Sequence, residues 1–134
     1  MTKSDNGKIY DLEERSHQFA HQVRAFIRRL PRTISNSEDV RQLVRSSGSI
    51  GANYIEANES LGRKDFLLHI KISRKESKES RHWIRLLFVD SDAALEEIRE
   101  RLVQESVELM NIFGAIFQKT REDASRDATP KAVG

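Results

Sequence analysis

Residues 61–89 read LGRKDFLLHIKISRKESKESRHWIRLLFV, and a helix through them carries three different faces. At heptad spacing Phe66, Ile70, Ser73, Ser77, Ser80, Ile84 and Leu87 fall on one stripe. Ile72, Glu76, Glu79, Trp83 and Leu86 fall on a second, turned by roughly 110° at about 100° per residue. Lys64, Lys71, Arg74, Lys75, Lys78, Arg81 and Arg85 cover the rest. An ordinary surface helix needs one apolar stripe. A second stripe, broken by carboxylates, predicts a second neighbour, inside the bundle or from another subunit. Ile72, Trp83 and Leu86 are therefore candidate oligomer contacts. The basic remainder needs solvent or an anionic partner.

Helical spacing extends in both directions from this segment. Leu12, Ser16, Phe19, Val23, Phe26 and Leu30 predict a first helix over 12–30, capped by Asp11 with Glu14 and ended by Pro31. Val40, Leu43, Ser47, Ile50, Tyr54 and Ala57 predict a second, with Asn36 or Ser37 as its cap and Glu38 and Asp39 at the positive end of its dipole. Ser46, Ser47, Gly48, Ser49, Gly51 and Ala52 are small for a helix interior, and each glycine costs about 1 kcal/mol of propensity against alanine. Close approach of another backbone offsets such a cost, and Ser73, Ser77 and Ser80 are the expected partners. Helix three is expected over 63–89, and Asp90 to Asp92 supplies the next turn and cap. Leu95, Ile98, Leu102, Leu109, Ile112 and Ile116 mark a fourth helix, with Glu105 or Ser106 in the open slot. The period stops at Arg121, so a flexible start over 1–10, a bundle over 11–120 and a disordered tail over 121–134 are expected. The fold class is all-α: an antiparallel up-down-up-down four-helix bundle.

Composition bounds the chemistry. There is no cysteine among the 134 residues, which excludes disulfides, thiolate metal sites and cysteine nucleophiles. The polar N-terminus is no signal peptide, and no run approaches the ~18 apolar residues of a membrane span. A cytoplasmic protein without a membrane partner is expected. The net charge is only +2, but it is unevenly spread. Residues 24–45 hold six arginines against two acids (+4), residues 61–85 eight bases against three acids (+5), and residues 90–110 seven acids against two arginines (−5). Such segregation suits nucleic-acid binding, or mutual complementation of helices or subunits.

The run Arg45-Ser-Ser-Gly-Ser-Ile-Gly-Ala-Asn-Tyr-Ile-Glu-Ala57 resembles the signature of the four helix bundle protein family, also called the 23S rRNA-intervening-sequence proteins. The likeness continues through Arg63-Lys-Asp-Phe66, Ile70 to Ser80 and Trp83 to Leu87, and takes in Tyr10 to Arg15 and Leu30-Pro31. The resemblance implies a bundle assembling as a ring, typically a homopentamer with a central channel. Some relatives are encoded within intervening sequences of large-subunit rRNA genes. A related branch serves diversity-generating retroelements as an accessory protein, whose basic barrel binds nucleic acid and the reverse transcriptase. For most members no biochemical activity is established, and the resemblance speaks to fold and assembly more than to function.

Three sets of residues carry candidate chemistry. Asn53 and Glu56, with Ser73, Glu76, Ser77 and Glu79, are expected to form a buried polar network with Arg45 or Arg81 as counter-ion, since buried charge must be paired. Read as a metal-dependent enzyme, the same region would use Glu56, Glu76, Glu79 and His82. However, Glu79-x-x-His82 is a single motif where di-iron bundles need two, and the His17/His21 pair lacks an evident third ligand. Ser46, Ser47 and Ser49 have no base placed by spacing, so no catalytic residue, metal or cofactor is expected, nor any small-molecule substrate. The best functional candidates are the cations Arg41, Arg45, Lys64, Lys71, Arg74, Lys75, Lys78 and Arg85, able to bind RNA or DNA backbones by counter-ion release, the more so if five subunits align them. Few aromatics are available to stack on bases. The leading expectation is a non-enzymatic oligomeric accessory or scaffold for nucleic acid. The alternative is a pure protein-interaction module whose basic face meets an acidic helix.

Overall fold

A computed structural model describes residues 11–128 as four helices: α1 (Leu12–Ile27), α2 (Ile34–Asn58), α3 (Arg63–Leu86) and α4 (Ala93–Ala128). Each helix packs on its neighbours in the chain, and α4 closes the cycle on α1. The contacts run in opposite order along every pair, as antiparallel packing requires. Ser16 meets Gly51 and Arg24 meets Ser47 across α1 and α2. Ser46 meets Ser80 and Asn53 meets His69 across α2 and α3. Arg74 meets Gly114, and Arg99 the Ile84 carbonyl, across α3 and α4.

The core stripe of α3 is buried as its spacing requires: Ile70, Ser73, Ser77, Ser80, Ile84 and Leu87 all lie inside. They face Phe19, Val23, Phe26, Leu43, Ile50, Leu102, Leu109 and Phe113. The buried serines between α2 and α3 find partners, whereas the hydroxyl of buried Ser16, on α1 beside Gly51, has none among the described residues. Ser46 and Ser80 bond each other at 2.9 Å, Ser73 donates to the Ile50 carbonyl at 2.9 Å, and Ser77 to the Ser73 carbonyl at 2.9 Å. A short hydroxyl bonded to backbone leaves neither bulk nor an orphan group between the helices.

The small-residue face of α2 divides between two neighbours. Ser46 turns to Ser80 of α3, but Ser47 and the glycines turn to α1 rather than to the serines of α3. A Cβ on Gly51 would stand 3.4 Å from Ser16 Cβ, and one on Gly48 3.4 Å from an Arg24 guanidinium nitrogen. Gly48 and Gly51 are three residues apart and share one side of α2 with Ser47, while Ser46, two residues before Gly48, lies on another, so the small run serves both seams.

Helix ends differ from expectation in four places. Pro31 disfavours helical backbone at Leu30, and α1 stops at Ile27 with bonds from Arg29 to Phe26 and Leu30 to Ile27 tightening its last turn. The cap of α2 is Thr33, whose hydroxyl accepts from the Asn36 amide at 3.0 Å, so neither Asn36 nor Ser37 caps. α3 ends at Leu86, not Val89, because Leu87 is extended and Arg99 takes over the carbonyls of Ile84, Arg85 and Leu87. α4 continues through Ala128 where a tail from Arg121 was expected. Local pairs carry it: Lys119 and Arg126 with Asp123, and Gln118 with Glu122. Residues 1–10 and 129–134 lie outside the described residues.

Asn36 is 3% exposed and ties two loops together. Its amide donates to the Pro31 and Phe88 carbonyls at 2.9 and 3.0 Å, and its oxygen accepts from the Phe88 amide at 2.9 Å. Asn36→Ala should cost about 2–3 kcal/mol in urea unfolding, because buried backbone groups lose their partners. Asn36→Asp should cost a similar amount, since a carboxylate cannot donate. Exposed Ser37→Ala should stay within about 0.5 kcal/mol. Equal losses at positions 36 and 37 would contradict the clamp.

Packing around the small residues makes a second expectation. Ser77→Leu should lose about 2–3 kcal/mol by overfilling a closed seam. Gly51→Ala, whose added carbon meets only ordinary contact, should gain up to about 1 kcal/mol of helix propensity. Urea midpoints of the two variants moving in the same direction would refute this placement of the seams.

Candidate nucleic-acid interface

All eight candidate cations are exposed: Arg41 and Arg45 on α2, and Lys64, Lys71, Arg74, Lys75, Lys78 and Arg85 on α3. Their spacing on α3 places them on the side of that helix facing α4 and solvent. Only Lys75 reaches a carboxylate, Glu76 at 3.8 Å; among the described residues the other seven form no ion pair.

Among the described residues no acid of α4 pairs with these eight cations, although Asp127 pairs with Arg63 at the start of α3 at 2.9 Å. Glu105 and Glu108 clasp Arg15 of α1, each at 2.7 Å. Glu96 pairs with Arg99 at 2.9 Å and Glu97 with Arg101 at 3.4 Å on the same helix. Hydrogen bonds from Gln104 and then Arg15 hold the Glu108 carboxyl below its usual range, and Arg99 does the same for Glu96. The basic face of α3 is therefore not neutralised by the acidic helix of its own chain.

Two grooves flank this face and share Lys71 and Arg74. One, of about 470 Å³, runs between α3 and α4 and is lined by Lys71, Arg74, Asn111, Gly114, Phe117 and Arg121 among others. The other, of about 410 Å³, lies along α3 and is lined by Leu68, Ile72, Lys75 and Lys78 as well. Arg121 belongs to this surface and escaped the sequence reading, because the apolar period that marks α4 ends before it.

The second stripe of α3 lies towards α2. Ile72 and Trp83 are half-buried, while Leu86 is 54% exposed and Leu68, on the same stripe, 53%. Glu76 shares it. Burial pushes its carboxyl above the usual range, the adjacent Glu79 carboxylate adds to this, and Lys75 and Arg45 offset part.

The expected polar network does not assemble in the single chain. Ser73 and Ser77 are buried and bond backbone carbonyls, but Glu56 and Glu79 are exposed. Asn53 donates to Ser49, and its oxygen lies 3.0 Å from His69 Nδ1, so its cross-helix partner is a histidine and not a carboxylate. The reason is angular: serines fill the α2–α3 seam, and the carboxylates sit about 110° round the helix from it. His17 and His21 stack with ring centroids 6.5 Å apart on exposed turns of α1, and His82 lies edge-on to Trp83 at 4.8 Å. No group of three or more metal-ligating side chains occurs among the described residues, nor is any helix there long and apolar enough to cross a membrane.

Fold and surface together define an all-α four-helix bundle with one unneutralised basic helix face. The chain belongs to the 23S rRNA-intervening sequence protein family, which matches it over residues 9–115. It is similar to the crystal structure of a protein of unknown function from the S23 ribosomal protein family of Bacteroides thetaiotaomicron. The TM-score is 0.67 at 26% identity, covering 80% of this chain and 98% of that one. No curated protein matches the chain.

The raised Glu76 carboxyl has a pH signature. Ionising it costs more in the folded state than in the unfolded one. The native state is thus favoured most below the ordinary glutamate range and loses that advantage as pH rises through the raised value. Glu76→Gln should therefore melt higher than wild type at neutral pH, with the difference closing below about pH 4. A gap that widens on acidification would refute the assignment.

Proposed function

We propose that this protein is a non-enzymatic bundle that self-associates through α3 and binds nucleic acid as an accessory or scaffold. The observation that carries the reading is the face of Lys64, Lys71, Arg74, Lys78 and Arg85 on α3, without ion pairs among the described residues while Glu96, Glu97, Glu105 and Glu108 of α4 pair with α1 and within their own helix; Arg41 and Arg45, also without ion pairs there, add charge on α2 across the second stripe. Clustered cations on a rigid helix attract phosphate backbones without base-specific contacts. A family named for 23S rRNA intervening sequences is in keeping with an RNA partner. Self-association is supported by the half-exposed Leu68 and Leu86 beside Ile72 and Trp83. The resemblance drawn from sequence implies that the assembly is a homopentameric ring.

The second reading, a protein-interaction module without nucleic acid, is favoured by that same apolar stripe. One experiment separates the two. Filter binding to a structured RNA across a salt series should show affinity falling steeply with salt. Lys71→Glu with Lys75→Glu should weaken retention and lower the salt slope by about 2, leaving the assembly mass by light scattering unchanged. Absence of binding, or salt-independent binding, would overturn the proposal. No RNA retention by wild type, together with dispersal of the assembly by the double variant, would select the interaction module.

A further inference from the structure

The groove between α3 and α4 differs from the rest of the basic face. It is concave, and its walls come from two helices. Lys71 and Arg74 rise from α3, and Arg121 from α4, where the neighbouring Glu122 and Asp123 are taken by Gln118 and by Lys119 and Arg126. Among the described residues none of the three is paired with a carboxylate. Asn111 and Gln118 add amides to the rim, with Gln118 also bonded to Glu122 at 3.4 Å. The floor is bare where Gly114 lies under Arg74: a Cβ there would stand 3.3 Å from the guanidinium Nε. Beside it lies the half-buried Phe117 ring, with the Arg121 guanidinium over it at 5.6 Å from the centroid.

Resting on the nucleic-acid reading, we propose that this groove is the specific seat of a single strand. One phosphodiester is held between Lys71, Arg74 and Arg121, and the adjoining base stacks on the Arg121–Phe117 pair. Three unpaired cations converging on one concavity give a phosphate charge-assisted contacts from opposite sides. An arginine guanidinium lying over an aromatic ring offers a base two partners for stacking. A duplex keeps its bases stacked inside and reaches only the cations, so the groove favours unpaired nucleic acid. Protein acids lack the stacking base, which argues against an acidic peptide as the occupant.

The test is fluorescence-anisotropy titration of the full-length protein with labelled single-stranded oligouridine and with a duplex RNA, alongside unlabelled polyglutamate as competitor. Arg121→Gln and Phe117→Leu, the latter keeping apolar bulk, should each weaken oligouridine binding about five-fold or more and duplex binding about two-fold or less. Lys119→Gln removes the same charge from α4 outside the groove and should change either by less than about two-fold. Circular dichroism melting confirms that each variant is folded. If wild type binds oligouridine but Arg121→Gln and Phe117→Leu bind it as Lys119→Gln does, the groove assignment fails and the broader reading stands. If wild type binds neither RNA, both fail. Displacement by polyglutamate at equal charge concentration would replace the nucleotide seat with an acidic-peptide site and overturn the proposal.

Discussion

The spacing between α2 and α3 is the constraint on which the rest of this molecule depends. Ser46, Ser73, Ser77 and Ser80 form a seam too thin for any larger side chain, closed by a hydroxyl pair and by bonds to backbone carbonyls. Because the seam is narrow and its hydroxyls have fixed partners, α3 has one rotational setting against α2. That setting decides everything about its other two faces. The carboxylate-broken apolar stripe is turned outward on the α2 side, and the cations are turned outward on the α4 side. An apolar seam of leucines would hold the helices just as well, but it would tolerate rotation, as unspecific cores do. Here polar satisfaction fixes orientation, and orientation fixes the surface.

The end of the bundle opposite the α2–α3 turn has its own fastening. Two side chains from different helices, Asn36 of α2 and Arg99 of α4, converge on the strand of chain where α3 gives out. Asn36 holds Phe88 by both of its backbone groups, and Arg99 holds three carbonyls of the last turn. A helix of this length leaves four carbonyls without partners at its end, and α3 lacks a glycine there to form the usual reversal. The guanidinium replaces that device. The chain then turns through Asp90 and Ser91, both with left-handed backbone (φ 56° and 58°), before Asp92 caps α4. Aspartate accepts that conformation more readily than serine does.

The architecture was legible because helical periodicity is strong here. Three of the four core stripes are read straight from apolar spacing, and the fourth from serine spacing once small size is counted as a core property. Asp11 and Asp92 announce themselves as caps by position. What escaped the reading was set by tertiary partners. Asn36 looks like a cap from the sequence, and only the proximity of Phe88, 52 residues away, makes it a loop clamp. Arg99 looks like a minor charge in an acidic run. The glycines of α2 could serve either neighbour, and spacing alone does not say which. The carboxylates Glu56 on α2 and Glu79 on the second stripe of α3 were expected to meet in a buried network, whereas both are exposed and half-exposed Leu68 and Leu86 show that the stripe faces outward. Arg121 was invisible as a site residue because its value lies in what faces it across α3, not in its own neighbourhood.

The charge arrangement carries the functional argument furthest. Lys71, Arg74, Lys75 and Lys78 stand three and four residues apart, and like charges at that spacing cost a helix about 0.2–0.5 kcal/mol per pair. The same chain owns an acidic helix packed directly alongside, with enough carboxylates to cancel the repulsion. Yet Glu96, Glu97, Glu105 and Glu108 hold Arg15 and their own helix's arginines instead, and among the described residues the ion pair that crosses to α3 is made by Asp127 with Arg63, a turn and more before Lys71. A bundle optimised only to stay folded would interleave the two signs across the α3–α4 seam. This one keeps Lys71, Arg74 and Lys78 together, without ion pairs among the described residues and beside a groove, so its own fold leaves their repulsion largely unrelieved. An external polyanion supplies the missing counter-charge, and releases the small ions that otherwise screen the face.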